Sequence, residues 1–265
     1  MLDNKDIHIK DLLSAFRPIT LEEMDSVKLM NRIDTKYVTS EAVLQDVLRD
    51  AAEAGYRVLV TENSRVNPYD SLYYDTPALK MFADHHNRRL TRQKVRTRTY
   101  VTSGITFLEI KRKNNKGRTK KKRLAIPLTD FPDFRPNVEA AAYLASHSAF
   151  TADQIAPVIE TLFHRITLVN PALTERLTID LNLGFRNRRT GMEASLADAV
   201  IIELKQDGRI ASPMKGILLT HRVKPFRISK YCIAVTLTDP QARSNRFRLK
   251  VRRIEKLINH KITVL

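Results

Sequence analysis

A chain of 265 residues, 43% of them hydrophobic, is large enough to bury a substantial core, which excludes a disordered tail. Its 46 Lys+Arg against 29 Asp+Glu give a formal charge of +17, more than solubility requires, and this excess calls for an anionic partner: nucleic acid, an anionic membrane surface or a phosphorylated molecule. Cys232 is the only cysteine, so an intramolecular disulfide framework is excluded.

No stretch approaches the roughly 18 uncharged apolar residues of a membrane span. The first residues, MLDNKDIHIKDLL, lack the basic flank and apolar core of a signal peptide. A soluble cytoplasmic protein is expected, peripheral at a membrane only through a membrane-protein partner. The chain reads as one domain over 1–265, with a helical segment at 1–30, a helical insertion at 127–160 and a basic segment at 240–265.

The predicted elements alternate between helices and strands whose two faces differ. Residues 31–38, NRIDTKYV, put Arg32, Asp34 and Lys36 on one face of a strand and Ile33, Thr35 and Tyr37 on the other. An amphipathic helix follows, with Ser40 as N-cap, apolar Val43, Leu44, Val47, Leu48 and Ala51, and Gly55 as the stop. In RQKVRTRTYV one face collects Lys94, Arg96, Arg98 and Tyr100 against Val95, Thr97, Thr99 and Val101. TFLEIKRK sets Phe107, Glu109, Lys111 and Lys113 against Leu108 and Ile110, and KKKRLAI sets Lys121 and Arg123 against Leu124 and Ile126. The basic run 111–123, broken by Asn114, Asn115 and Gly117, reads as a hairpin. Short helices are expected at 137–146 and 151–155. ERLTIDLNL then sets Arg176, Thr178, Asp180 and Asn182 against Leu177, Ile179, Leu181 and Leu183, and AVIIELKQ sets Ile201, Glu203 and Lys205 against Val200, Ile202 and Leu204.

One such strand is explained by a solvated face. Six together are not: all six carry a cation on the charged face and three of them repeat Arg and Lys at positions i and i+2, about 7 Å apart, a repulsion that needs a counter-anion. The reading is an α+β fold: an antiparallel sheet that closes into a β-barrel, charged faces inward, helices packed outside. Glu109 and Glu203, among the cations, are candidate ligands for Mg²⁺ or Mn²⁺.

The segments RIDTKY, YYDT, KVRTRTY, FLEIKRK, KKKRLAI, LFHRITLVNPALTERLTID, IIELK and FRISKYC, in that order, resemble the vacuolar transporter chaperone (VTC) domain, the polyphosphate polymerase branch of the triphosphate tunnel metalloenzymes. The resemblance runs from about Asn31 to Cys232. It implies a closed antiparallel eight-stranded β-barrel tunnel that binds ATP and polyphosphate and moves the terminal phosphoryl group onto a growing chain, with a glutamate holding Mn²⁺ or Mg²⁺. Matched residue by residue, it assigns Lys36, Arg98, Lys111, Arg176 and Lys230 to catalysis. It matches Arg96, Lys121, Arg123, Arg165 and Lys205 to substrate binding and Glu203 to the metal, and the charged faces add Arg32, Lys94 and Lys113 as substrate-binding candidates and Glu109 as a second metal candidate. Arg165 and Lys230 lie in segments that alternation does not place.

The hydrolytic relatives carry ExExK on the first strand, where this chain has Arg32, Asp34 and Lys36, which favours transfer or binding over two-metal hydrolysis. A chain of this length is not expected to carry the regulatory domain or membrane helices of the eukaryotic polymerases. Competing readings are an inorganic or nucleoside triphosphatase and a polyphosphate- or nucleotide-binding module without turnover. A specific nucleic-acid role is not expected, since Trp is absent and no recognition-helix pattern occurs. Locally, Glu203 with Lys205 also reads as a plain ion pair and Lys230 as a surface lysine. Tyr37, Tyr73, Tyr74 and Tyr100 read as packing residues, His85, His86, His164 and His221 as structural or surface residues, and the amphipathic 246–258 as a solvated or membrane-docking helix.

Overall fold

The computed structural model describes residues 4–25 (side chains from Ile9 onward), 32–196, 198–208 and 210–265. Residues 26–30 of the expected N-terminal helical segment, and Asn31 at the start of the first predicted strand, lie outside the described residues. The N-terminal region gives α1 (Asn4–Ser14), β1 (Arg17–Ile19) and α2 (Leu21–Asp25). After β2 (Arg32–Ser40), α3 (Glu41–Glu53) starts where Ser40 Oγ accepts from Val43 N, and stops before Gly55, whose φ of +76° suits a residue without Cβ. Next come β3 (Arg57–Leu59), β4 (Asn67–Asp75), α4 (Lys80–His86), β5 (Arg92–Tyr100), β6 (Ile105–Lys113) and β7 (Thr119–Ile126). The expected hairpin joins β6 to β7, with Gly117 at φ +78° and Asn114 Oδ1 accepting from Arg118 N at 2.9 Å.

In α5 (Val138–His147) the cap is Asn137, whose Oδ1 accepts from Ala140 N at 3.0 Å. The expected insertion 127–160 ends earlier than predicted, because 156–160 already belong to β8 (Ala156–Val169). The remaining elements are β9 (Glu175–Asn187), β10 (Glu193–Leu196), β11 (Ala199–Asp207), α6 (Pro213–Thr220), α7 (Lys230–Thr238), α8 (Asn245–Ile258) and β12 (Thr263–Val264). No helix among the described residues is long and apolar enough to cross a membrane.

Antiparallel pairing runs β7-β6-β5-β4-β8-β9-β11-β2, and β2 and β7 do not pair with each other. The sheet is therefore a curled half-barrel, which corrects the closed barrel expected from sequence. Two physical reasons stand out. The free edge of β2 is already occupied: Phe226 N donates to Lys36 O at 2.6 Å and Pro225 bridges Tyr37. The other edge, β7, carries Lys120, Lys121, Lys122 and Arg123, and bringing it against the cationic β2 would set like charges opposite one another.

The predicted apolar faces are covered on the outside. Leu44, Val47 and Leu48 of α3 and Met214 and Leu218 of α6 pack on Leu177, Ile179, Val200, Ile202 and Leu204. Phe134, Ala140 and Leu144, in and before α5, pack on Leu72, Val95, Leu108 and Ile110. A third layer was not expected: α4, α7 and α8 enter the concave side, where Phe82, Tyr231, Val235, Phe247 and Ile254 meet Val38, Ile159, Phe185 and Ile201. The apolar stripe of 246–258 is thus spent on the protein's own core, neither solvated nor left for a membrane.

A β-bulge makes that inner layer compatible with the sheet. Across from Phe163 the β8–β9 register shifts, Asn182 adopts φ +50°, and Leu183 turns to the concave side although Leu181 faces outward. The strict alternation read from ERLTIDLNL therefore holds only through Leu181. Chemical unfolding tests this layering: Leu48→Ala, at a fully buried site, should lower the unfolding free energy by about 2–5 kcal/mol, whereas Leu219→Ala, at a site 71% exposed, should stay within about 0.5 kcal/mol. Equal effects would mean that α3 does not seal the outer face.

Candidate functional site

The concave face beyond the α7 plug is lined by the predicted cations. Cross-strand register sets Lys94, Lys111 and Lys121 abreast on β5, β6 and β7, with Arg96, Glu109 and Arg123 in the adjoining row. From the other wing come Lys36 opposite Glu203, Glu203 opposite Thr178, and Lys205 opposite Arg176. Their fields overlap: Lys111 feels Arg96, Arg98 and Glu203, Arg176 feels Arg32, Arg165 and Glu203, and Lys94 feels Lys36. The two wings therefore face one shared space.

Three carboxylates sit in this space, and each is shared by two cations. Glu109 accepts from Arg96 Nε at 2.7 Å and also pairs with Lys121. Asp180 accepts both Arg165 Nε (2.6 Å) and Nη2 (2.9 Å) and pairs with Lys230. Glu203 accepts from Lys205 Nζ at 2.9 Å and lies 3.6 Å from Lys36 Nζ. Burial by itself would raise all three acids. The cations outweigh it, with Arg96, Arg98 and Lys121 acting on Glu109, Arg165 and Lys230 on Asp180, and Lys36 and Lys205 on Glu203, so each carboxyl is held well below its usual range.

Of the predicted site cations, six lack a carboxylate within ion-pair distance among the described residues: Lys94, Arg98, Lys111 and Arg176 inside the cluster, and Lys113 and Arg123 at its margin. Lys94 Nζ donates to Ser229 Oγ at 2.7 Å and Arg98 Nε to Ser71 Oγ at 2.9 Å, while Arg176 Nε is buried without a hydrogen-bond partner. Burial pushes Lys94 down and Arg98 down to about 10. In Lys111 the leading cause is the neighbouring Arg96 guanidinium, with burial second.

The remaining predicted residues lie at the margins. Arg32 is exposed and pairs with Asp34 at 2.5 Å, Lys113 is half-buried near the hairpin, and Arg123 lies over the Phe107 ring at 4.8 Å. Glu203 and Lys205 do form an ion pair, but in the middle of the cluster. Lys230 is not a surface lysine: it opens α7 and lies 3.3 Å above the Phe163 ring. Tyr37, Tyr73 and Tyr74 are buried packing residues, and Tyr73 accepts from Arg96 Nη1 at 2.9 Å. His221 pairs with Asp50, away from the cations.

Sequence reasoning passed over Asp180, Ser71, Ser229 and Phe163 as site residues. Asp180 was legible as a member of the charged face; the other three depend on β4, β8 and α7, which alternation did not place. As metal ligands the two glutamates differ. The Glu109 side chain is fully closed off and held by Arg96 and Lys121, which does not fit a metal ligand, whereas the Glu203 side chain remains 24% exposed to the shared space. No cluster of three or more metal-type side chains occurs among the described residues.

Comparison with curated proteins gives no match. Among solved structures the chain is similar to a candidate adenylyl cyclase from Hippeastrum, described as having a dominant triphosphatase activity (13% identity over 77% of this chain and 95% of that one, TM-score 0.49). It is also similar to candidate adenylate cyclases from Bacillus halodurans (12%, 76% and 96%, 0.47) and Vibrio parahaemolyticus (11%, 76% and 96%, 0.44). The family model of the VTC domain matches residues 31–238, and the chain belongs to that family.

Proposed function

We propose that the half-barrel is a metal-dependent phosphotransferase that moves the γ-phosphate of ATP onto a polyphosphate chain held on its cationic face. The observation that carries the reading is the set of four inner cations without carboxylate partners, Lys94, Arg98, Lys111 and Arg176, spread over both wings among six others fixed on three acids. A linked phosphate chain can meet such cations together, and separate phosphates cannot.

Phosphoryl transfer needs positioning and charge neutralisation more than a protein nucleophile. The terminal oxygen of the resident chain attacks the γ-phosphorus, a new P–O bond forms, the β–γ bridging bond breaks, and ADP leaves. Lys36, Arg98, Lys111, Arg176 and Lys230 act on the transferring group. Arg96, Lys121, Arg165 and Lys205, aimed by their acids, hold the flanking phosphates together with Lys94, and Arg32, Lys113 and Arg123 extend the path at its margins. Mg²⁺ or Mn²⁺ arriving with the nucleotide would neutralise phosphate oxygens, and Glu203 is the side chain that would hold it.

With ATP and Mn²⁺ the protein should release ADP and build acid-insoluble polyphosphate. Glu203→Gln should lower turnover by about two orders of magnitude or more, while metal-free triphosphate binding changes only a few-fold. Arg98→Ala and Lys111→Ala should weaken both binding and turnover. Orthophosphate appearing one-for-one with ADP and no polymer would instead make the protein a triphosphatase, and no turnover with either metal would leave a binding module.

The depressed Lys94 and Lys111 add a pH dependence. An anion placed between them stabilises their charged forms, so binding takes up protons and affinity falls as pH rises through the range where the empty site has already lost them. Calorimetry with ATP in the absence of divalent metal, its phosphates essentially fully ionised between about pH 8 and 10, should show this fall. Its buffer dependence should report proton uptake. A pH-independent affinity would mean that the two lysines do not face the ligand.

A further inference from the structure

We infer that Asp180 is a positioning residue of this site: its carboxylate clamps Arg165 and Lys230 into one unit, so that a helix-borne lysine and a strand-borne arginine are presented to a phosphate chain as a fixed pair of charges. The inference rests on the phosphate-binding reading above.

Three observations converge on Asp180. It is 4% exposed, on the concave face of β9, and its two oxygens are engaged by the bidentate Arg165 of β8 and by Lys230 of α7. Lys230 stands at the first position of α7, where the helix dipole is unfavourable to a cation, and something must offset that cost. The groups facing its ammonium are Arg98 on β5, Arg165 and the Phe163 ring on β8, and, through the shared Ser229 cap, Lys94. Arg98, Arg165 and Lys94 are cations, so Asp180 is the one carboxylate within ion-pair distance of Lys230 among the described residues.

Without the Asp180 charge, Lys230 is a buried amine beside arginines at a helix N-terminus. Burial already pulls the Lys230 ammonium well below the ordinary lysine range in the unaltered protein, and Asp180 is the charge that opposes it; without that charge the amine loses its proton at a lower pH still and has to recover one when an anion binds. Tripolyphosphate affinity of Asp180→Asn should therefore fall with pH more steeply than that of the unaltered protein. The ratio of the two affinities, in which the titration of the ligand itself cancels, should grow at least about tenfold from about pH 6 to pH 9. Asp180→Glu keeps the charge and should hold the ratio constant.

Calorimetric titrations of the three proteins across that range make the test, with Lys230→Met as an independent arm at about pH 7. Lys230→Met should weaken tripolyphosphate binding at least about tenfold, as expected for the loss of a buried charge-assisted contact. A ratio that stays flat for Asp180→Asn would overturn the inference while leaving phosphate binding intact. So would a Lys230→Met affinity within about twofold of the unaltered protein, since Lys230 would then be only a structural partner of Asp180. Failure of the unaltered protein to bind tripolyphosphate at all would overturn both this inference and the reading beneath it.

Discussion

Gathering cations on the concave face of one sheet is costly, and the way that cost is met governs the rest of the structure. Each buried Lys or Arg loses hydration and repels its neighbours, and neither loss is recovered unless an anion is near. Glu109, Glu203 and Asp180 supply that anion internally, each to two cations. The sharing leaves every such group with net positive charge, and Lys94, Arg98, Lys111 and Arg176, set among them, have no carboxylate within ion-pair distance among the described residues. The side chains of the site are thus held by internal pairs and still leave an excess of positive charge, which suits a highly charged chain.

The curl of the sheet and its packing follow from the same constraint. Helices cover the outer face, so the alternation that sends Val95, Leu108, Ile202 and Leu204 into apolar layers sends Arg96, Glu109, Glu203 and Lys205 to the opposite side. The inner helices then limit how much of the concave side stays polar. Beyond the bulge at Asn182 the face turns apolar and α7 fills it, with Ser229 and Lys230 at the boundary between plug and site. The open edge between β2 and β7 is a result of the chain running along β2 through Pro225 and Phe226, and of the cationic character of both edges.

Much of this was legible in the sequence, because a period of two is a strong signal where one side is uniformly charged. β2, β5, β6, β7 and β11, and β9 as far as Leu181, were found with their faces, as were the N-cap and stop of α3. β4 and β8 were not, since the concave positions of β8 include Ile159, Thr161, Phe163 and Thr167 as well as Arg165, and a strand apolar on both sides carries no alternation. Lys230 and Arg165 entered only through the resemblance to the family, because their positions depend on long-range contacts. The open edge and the inner helices were also out of reach: both depend on where the chain after residue 210 travels, which no local pattern records. Glu109 shows a further limit, since an acid among cations in sequence can be a metal ligand or an internal counter-ion, and only the partners decide.

The central claim is that these cations act together on one linked polyanion. Calorimetric titration of the protein with tripolyphosphate, orthophosphate and duplex DNA, at matched phosphate concentration and two salt concentrations, tests it most directly. The account predicts one saturable site for tripolyphosphate, with an affinity orders of magnitude above that for orthophosphate and a marked loss at the higher salt. Equal affinity for the two phosphates, or a preference for duplex DNA, would show that the charge works as a diffuse surface patch and would contradict it.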